Sequence, residues 1–342
     1  MTGVPFAGPR RAWASPSTAL VWWLAALAYY LAGCLLHLQF SLWLVRQRVT
    51  SIGPLAYADA MPWLVVAGAA GLLVWFVSRL KTSPRPRRTI GFWLIWLTAV
   101  ALIDRLLIYS INEYAHYPQY ALLAWLIARA MDPTRTQWYV GRVLFWTTLM
   151  GMGDELLQYL WITNTYSDYL DFNDFLMNLV AAAAGTLLYY GAAARPAAPS
   201  RRRPPVVELV AATTLTLAVG AGLLADRVVQ TPSEKILPGG IVRRIDGSRQ
   251  LYLQRSPHFY GAWQASQRHA SYYVLPPAAG LALLVAAGAL FASFGRNRVK
   301  KLKLRGYPCA SARHRSKRFQ RAAAFHAALP SSQGSATALW VV

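Results

Sequence analysis

The chain has 342 residues, with 35 Lys and Arg against 13 Asp and Glu and a formal net charge of +22, yet 56% of it is hydrophobic. Only 14% is charged and there are two Cys, which excludes a disordered chain and a disulfide scaffold. Such a charge on so apolar a chain points to nucleic acid or to a membrane, and its distribution favours the membrane.

A bilayer core takes helices of about 20 mostly apolar residues. Segments 18–45, 61–79, 90–111, 115–131, 143–162, 172–192, 206–226 and 274–294 approach or meet that length, 115–131 being the shortest. Lipid leaves a spanning backbone no partner but itself, so each is expected to be a helix. The first has no charge between Arg11 and Arg46. It is too long for a signal-peptide core and no small-residue cleavage site follows it, so an uncleaved first span is expected.

The loops between segments carry the positive charge. Ser83 to Arg88 and Arg195 to Pro205 are rich in Arg and Pro. They suit anchoring at anionic headgroups on the cytoplasmic side. With the N-terminus inside, 25 Lys and Arg fall on the cytoplasmic side and 10 on the other. The expectation is an all-α polytopic membrane protein with about eight spans and both termini inside.

Four regions follow from this: an N-terminal two-helix region (1–89), a four-helix core (90–192), a two-helix region (193–294) and a basic tail (295–342). Within 193–294 lies an extracytoplasmic insert, 227–272. There, Ile241 to Ile245 and Leu251 to Leu253 flank Asp246-Gly247, which predicts a hairpin around a type I′ turn. The tail opens with Arg296, Arg298, Lys300, Lys301, Lys303 and Arg305, a juxtamembrane stretch suited to anionic lipid. The rest of the tail has the composition of a disordered segment. Anionic lipid at the basic loops and tail accounts for the charge, so no nucleic-acid partner is expected.

Ionisable residues inside spans are costly and mark function by default. They collect in consecutive segments: Glu113 and His116, then Asp154, Glu155 and Gln158, then Asp174 and Asn178. Alternating helix direction puts all of them at one depth, in the outer leaflet. Asp154 and Gln158 share a helix face, as do Asp174 and Asn178. Ala181, Ala182 and Gly185 continue the Asn178 face with small residues, which permits a close helix approach that brings Asn178 toward Asp154 and Gln158. No Lys or Arg occurs between Arg142 and Arg195. The partners expected for the carboxylates are therefore His116, Arg105, a shared proton or a ligand.

Gly153-Asp154-Glu155-Leu156-Leu157-Gln158, followed by Asp174-Phe175-Leu176-Met177-Asn178 and Gly185, resembles the VanZ-like family signature. Glu113 to Tyr117 and Tyr120 to Leu123 are similar to that family's His-aromatic stretch at a helix head. The resemblance covers residues 100–192. It implies a multi-span protein of the bacterial cytoplasmic membrane, in a family associated with cell-envelope function and resistance to the glycopeptide antibiotic teicoplanin. This chain departs from the family in lacking the Arg that follows the Gln and in having Glu113 where many members carry a Lys.

No Walker loop, zincin motif, nucleophile elbow or Cys-x-x-Cys occurs. No metal-ligand spacing is visible either, so neither a metal nor a cofactor is expected. Three readings remain. In the first, Asp154, Glu155, Gln158, Asp174, Asn178, His116 and Glu113 line a pocket for an envelope lipid, lipid-linked glycan or glycopeptide. In the second, Asp154, Glu155 and His116 are the acid and base of a membrane-embedded hydrolase or transferase. In the third, the same residues only lock helices together in a non-catalytic scaffold.

Overall fold

Apolar runs of this length satisfy their backbone by winding into helices, and a helix overlaps each expected segment. The computed structural model describes residues 16–47, 57–80, 86–158, 170–191, 205–225, 227–229, 241–243, 249–252 and 259–295. Its α-helices are α1 (Pro16–Gln47), α2 (Tyr57–Leu80), α3 (Pro86–Leu106), α4 (His116–Met131), α5 (Val140–Leu157), α6 (Phe172–Gly191), α7 (Val206–Leu224) and α8 (Pro277–Ala292). The tail lies outside the described residues.

Proline sets several helix starts. α1, α3 and α8 each open on Pro, where the missing N–H is one that the helix leaves unbonded anyway. α3 thus begins inside the Pro/Arg loop, four residues earlier than expected. It also ends earlier, at Leu106, because the chain then forms a separate 3-10 turn at Ile111–Ala115.

Among the described residues, three helical stretches are long and apolar enough to cross a membrane: Thr18–Leu36, Pro86–Leu106 and Pro277–Gly295. Val206–Gly222 is apolar but shorter. Their outer faces expose Leu20, Val21, Leu35, Leu94, Leu97, Leu217 and Val285. Rows of exposed aliphatic side chains on neighbouring helices are what lipid contact requires.

α6 is the opposite case. Every residue from Phe175 to Leu187 is buried, because α6 is packed against α3, α4, α5 and α8. Small residues allow this enclosure. A Cβ on Gly185 would collide with the Ala121 carbonyl of α4, and one on Gly280 of α8 would sit 2.7 Å from Phe172. The contacts His116 with Asn178 and Ala121 with Gly185 advance in the same direction, so α4 and α6 run parallel. α5 runs against both, with its last turn at their first turns.

One end of the bundle therefore gathers the C-terminal ends of α3 and α5 and the N-terminal ends of α4, α6 and α8. Asn173 fastens them. Its Nδ2 donates to the Leu107 and Tyr273 carbonyls at 3.0 and 2.9 Å, and its Oδ1 accepts from Leu275 N–H at 3.0 Å. At the other end, Arg142 of α5 pairs with Glu208 of α7 at 2.6 Å.

The framework is all helical, as expected, and among the described residues the strands fall in the insert, β5 ending one residue beyond it. β2 (Ile241–Arg243) pairs antiparallel with β3 (Arg249–Tyr252), which also pairs parallel with β1 (Val228–Val229). The two strands expected of a hairpin pair with each other, and the expected turn at Asp246-Gly247 lies within 244–248, outside the described residues. β4 (Trp263–Ala265) and β5 (Ser271–Tyr273) form a second hairpin. This hairpin lies against the end of α3: Ser266 Oγ reaches the Ile108 and Tyr109 carbonyls at 3.1 and 2.8 Å.

The α4–α6 approach makes a direct prediction. Gly185→Ala lowers the melting temperature of the detergent-purified protein, on the scale of about 1–3 kcal/mol for overpacking or more. Gly68→Ala in α2 does not lower it, because nothing lies within 4 Å of the added carbon.

Candidate functional site

Adjacent residues on a helix point about 100° apart, so neighbouring acids in the last turn of α5 face different helices. Asp154 faces α4 and α1. Its Oδ2 accepts from Tyr120 Oη at 2.7 Å and from Gln119 Nε2 at 3.5 Å. Tyr30 and Cys34 of α1 adjoin it. Glu155 faces α6 and the head of α4. Its Oε1 accepts from Asn178 Nδ2 at 3.4 Å and lies 3.7 Å from His116 Nδ1. His116 Nδ1 is 2.7 Å from Asn178 Oδ1, so Asn178 joins all three helices.

This corrects the expected pairing. Asn178 bonds to Glu155 and His116, not to Asp154 and Gln158. The small-residue face of α6 presses on α4 through Gly185, not on α5. The contact with α5 is instead opened by Gly151, where a Cβ would lie 3.2 Å from Asn178 Nδ2. Gln158 stands at the C-cap of α5, its N–H donating to the Asp154 and Glu155 carbonyls.

Asp174 completes the layer one turn before Asn178. One oxygen of Asp174, one of Glu155 and a ring nitrogen of His116 lie within 4.8 Å of one another. Asp154 and Asp171 also act electrostatically on Glu155. The layer is packed rather than an open pocket: Asp154 and Asn178 are 1% exposed, and Glu155 and His116 6%. Asp171 and Asp174, half-buried, form its accessible edge. An apolar cleft lined by Trp75, Phe76, Trp93 and Leu187 shares no residue with it.

Among the described residues, His116 is the basic group paired with Glu155, and no Lys or Arg pairs with Asp154, Glu155 or Asp174. Arg105 is exposed at the end of α3. Its neighbour Asp104 is served by the insert, with Arg268 Nε at 3.5 Å, His269 Nε2 at 3.4 Å and the Tyr114 hydroxyl donating to it. The Asp154 and Asp174 Oδ1 atoms are shut off from solvent and have no hydrogen-bond partner among the described residues.

Glu113 has a local task. It accepts from the Tyr109 and Ser110 N–H groups at 3.0 and 2.9 Å, closing the 3-10 turn. Burial, then the nearby Asp174 and Asp171, push its carboxyl from 4.5 up to about 9, against those two N–H bonds.

Sequence reasoning missed Tyr120 and Gln119 as Asp154 partners, and Asn173 as the fastening of the bundle end. The His116–Tyr120 spacing of one helical turn carried a signal for the first: the two rings stack with centroids 5.8 Å apart. Asn173 carried none, because its partners are backbone atoms distant in sequence.

Glu113 gives a pH prediction. A carboxyl whose folded pKa lies above its unfolded value contributes stability that is complete below the unfolded pKa and lost as pH rises through the folded one. The melting temperature of the wild type therefore falls between pH 4.5 and about 9, relative to Glu113→Gln over the same range. Parallel curves would contradict the assignment. Comparison of the chain with protein-family models, with curated proteins and with solved structures gives no match.

Proposed function

We propose that the chain is a VanZ-like integral protein of the bacterial cytoplasmic membrane whose polar layer engages the headgroup of an envelope lipid, lipid-linked glycan or glycopeptide. In this reading it has eight spans, with N- and C-termini inside and the layer in the outer leaflet. The observation that carries it is the convergence of His116, Glu155 and Asn178, drawn from three helices into one buried, bonded group. A membrane protein that needed only helix adhesion would achieve it with small residues and single amides. Several carboxyls with no Lys or Arg paired to them among the described residues are costly in that setting, which favours a role beyond adhesion. Asp171 and Asp174 form the edge at which a headgroup enters. The basic loops and tail bind anionic lipid on the opposite face.

A second reading is favoured by the 3.7 Å separation of His116 Nδ1 and Glu155 Oε1. It is the distance of an acid–base pair one small shift from contact, suited to hydrolysis or transfer on an envelope lipid.

Two measurements test the proposal. Asp154→Asn, Glu155→Gln and Asn178→Ala are expected to reach the membrane at wild-type abundance and to change teicoplanin and envelope-stress sensitivity. If they only lower the melting temperature and leave both phenotypes unchanged, the layer is a structural lock. For topology, a fluorescent protein fused after Val342 is expected to fluoresce in the cytoplasm. A periplasm-dependent reporter inserted within 230–240 is expected to be active.

A further inference from the structure

Three acids and an imidazole enclosed together must carry protons or a cation. The sequence offers no metal signature, because the relevant residues sit on three helices and no local spacing joins them. In the structure, His116, Glu155 and Asp174 each present one donor atom, all within 4.8 Å of one another.

We propose that His116, Glu155 and Asp174 form a binding site for a first-row transition-metal dication of the zinc class.

Several independent features point the same way. Asp174 Oδ1 is shut off from solvent and has no hydrogen-bond partner among the described residues, a costly state for a buried acceptor that a metal bond would relieve. No Lys or Arg among the described residues pairs with Glu155 or Asp174, so the place of a counter-charge is open. Asp154 and Asp171 add negative potential around Glu155. The ring of His116 is held by Asn178 at 2.7 Å, and Asn178 Nδ2 also reaches Glu155. One amide thus orients two ligands, the supporting role that metal sites require of their surroundings.

The donor set selects the ion. One imidazole with two carboxylates suits zinc, iron or manganese, whereas calcium and magnesium take oxygen alone. Three protein ligands leave a fourth position free, as in zinc sites that bind water or a substrate oxygen. The inference shares its residues with the proposed headgroup site and would supply the positive charge that an anionic headgroup needs. It does not require the lipid.

The test uses the full chain in detergent, stripped with a chelator and titrated with ZnCl2 in the absence of added lipid. The expected result is about one tightly held zinc per chain and a rise in melting temperature on zinc addition. Glu155→Gln and Asp174→Asn weaken binding by about tenfold or more, and Asn178→Ala by roughly 10–100-fold through its hold on the ligands. Asp104→Asn, in the separate cluster with Arg268, binds zinc as the wild type does. Absence of a zinc-dependent melting shift in the wild type overturns the proposal and leaves the carboxyls holding protons. So does equal affinity in the Glu155 and Asp174 variants. Should those variants fail to fold, the wild-type stoichiometry and melting shift decide. Lipid copurification is scored separately, so a chain that retains lipid and binds no zinc sinks the metal site alone.

Discussion

The close approach of α4 to α6 at Ala121 and Gly185 is the contact on which the rest of the bundle depends. A Cβ at Gly185 has no room beside the Ala121 carbonyl, so the two helices meet nearly backbone to backbone. Because they run parallel, that contact fixes the height of His116 against Asn178, nearer the heads of the two helices. α5 then lies antiparallel against both, with Gly151 giving Asn178 space. One amide can join three helices only because all three backbones are this near. Membrane helices gain little from hydrophobic association with one another, so packing of small residues carries the geometry.

That geometry has an electrostatic consequence. The end of the bundle nearest the heads of α4 and α6 encloses Asp154, Glu155 and Asp174, with Glu113 and Asp171 beside them. The two adjacent acids of α5 are divided between neighbours: Asp154 takes the Tyr120 hydroxyl and Glu155 the Asn178 amide. The basic residue nearest in sequence to the outer acids, Arg105, is not used. Asp104 is neutralised from the insert by Arg268 and His269. The insert thus clamps the end of α3, and among the described residues no arginine pairs with Asp154, Glu155 or Asp174. A cation, a proton or a ligand is what such a layer calls for, and the proposed function and the metal site are two answers to that one requirement.

Much of this was legible in the sequence. The helices follow from the length of apolar runs, a constraint set by the bilayer rather than by any detail of packing. That the polar residues of α4, α5 and α6 meet at one end of the bundle follows from counting residues along helices of alternating direction. The partner assignments were not legible. Asp154 and Glu155 differ by one position, and which of them meets Asn178 depends on the rotation of α5, which its nearly uniform apolar surface does not reveal. Gly185 was read as a contact residue with its partner helix left open, since small residues mark a close approach without naming the partner; the partner is α4. The hairpin strands were found from their alternation, a period-2 pattern that survives whatever the sheet's register, here Ile241 opposite Leu251.

The most direct test of the central claim is a high-resolution structure of the protein purified in native membrane lipid, without detergent extraction. The account predicts density for a bound headgroup at the edge formed by Asp171 and Asp174, reaching toward His116, Glu155 and Asn178. A sealed layer, with lipid ordered only against the apolar helix faces and nothing beside those residues, would contradict it.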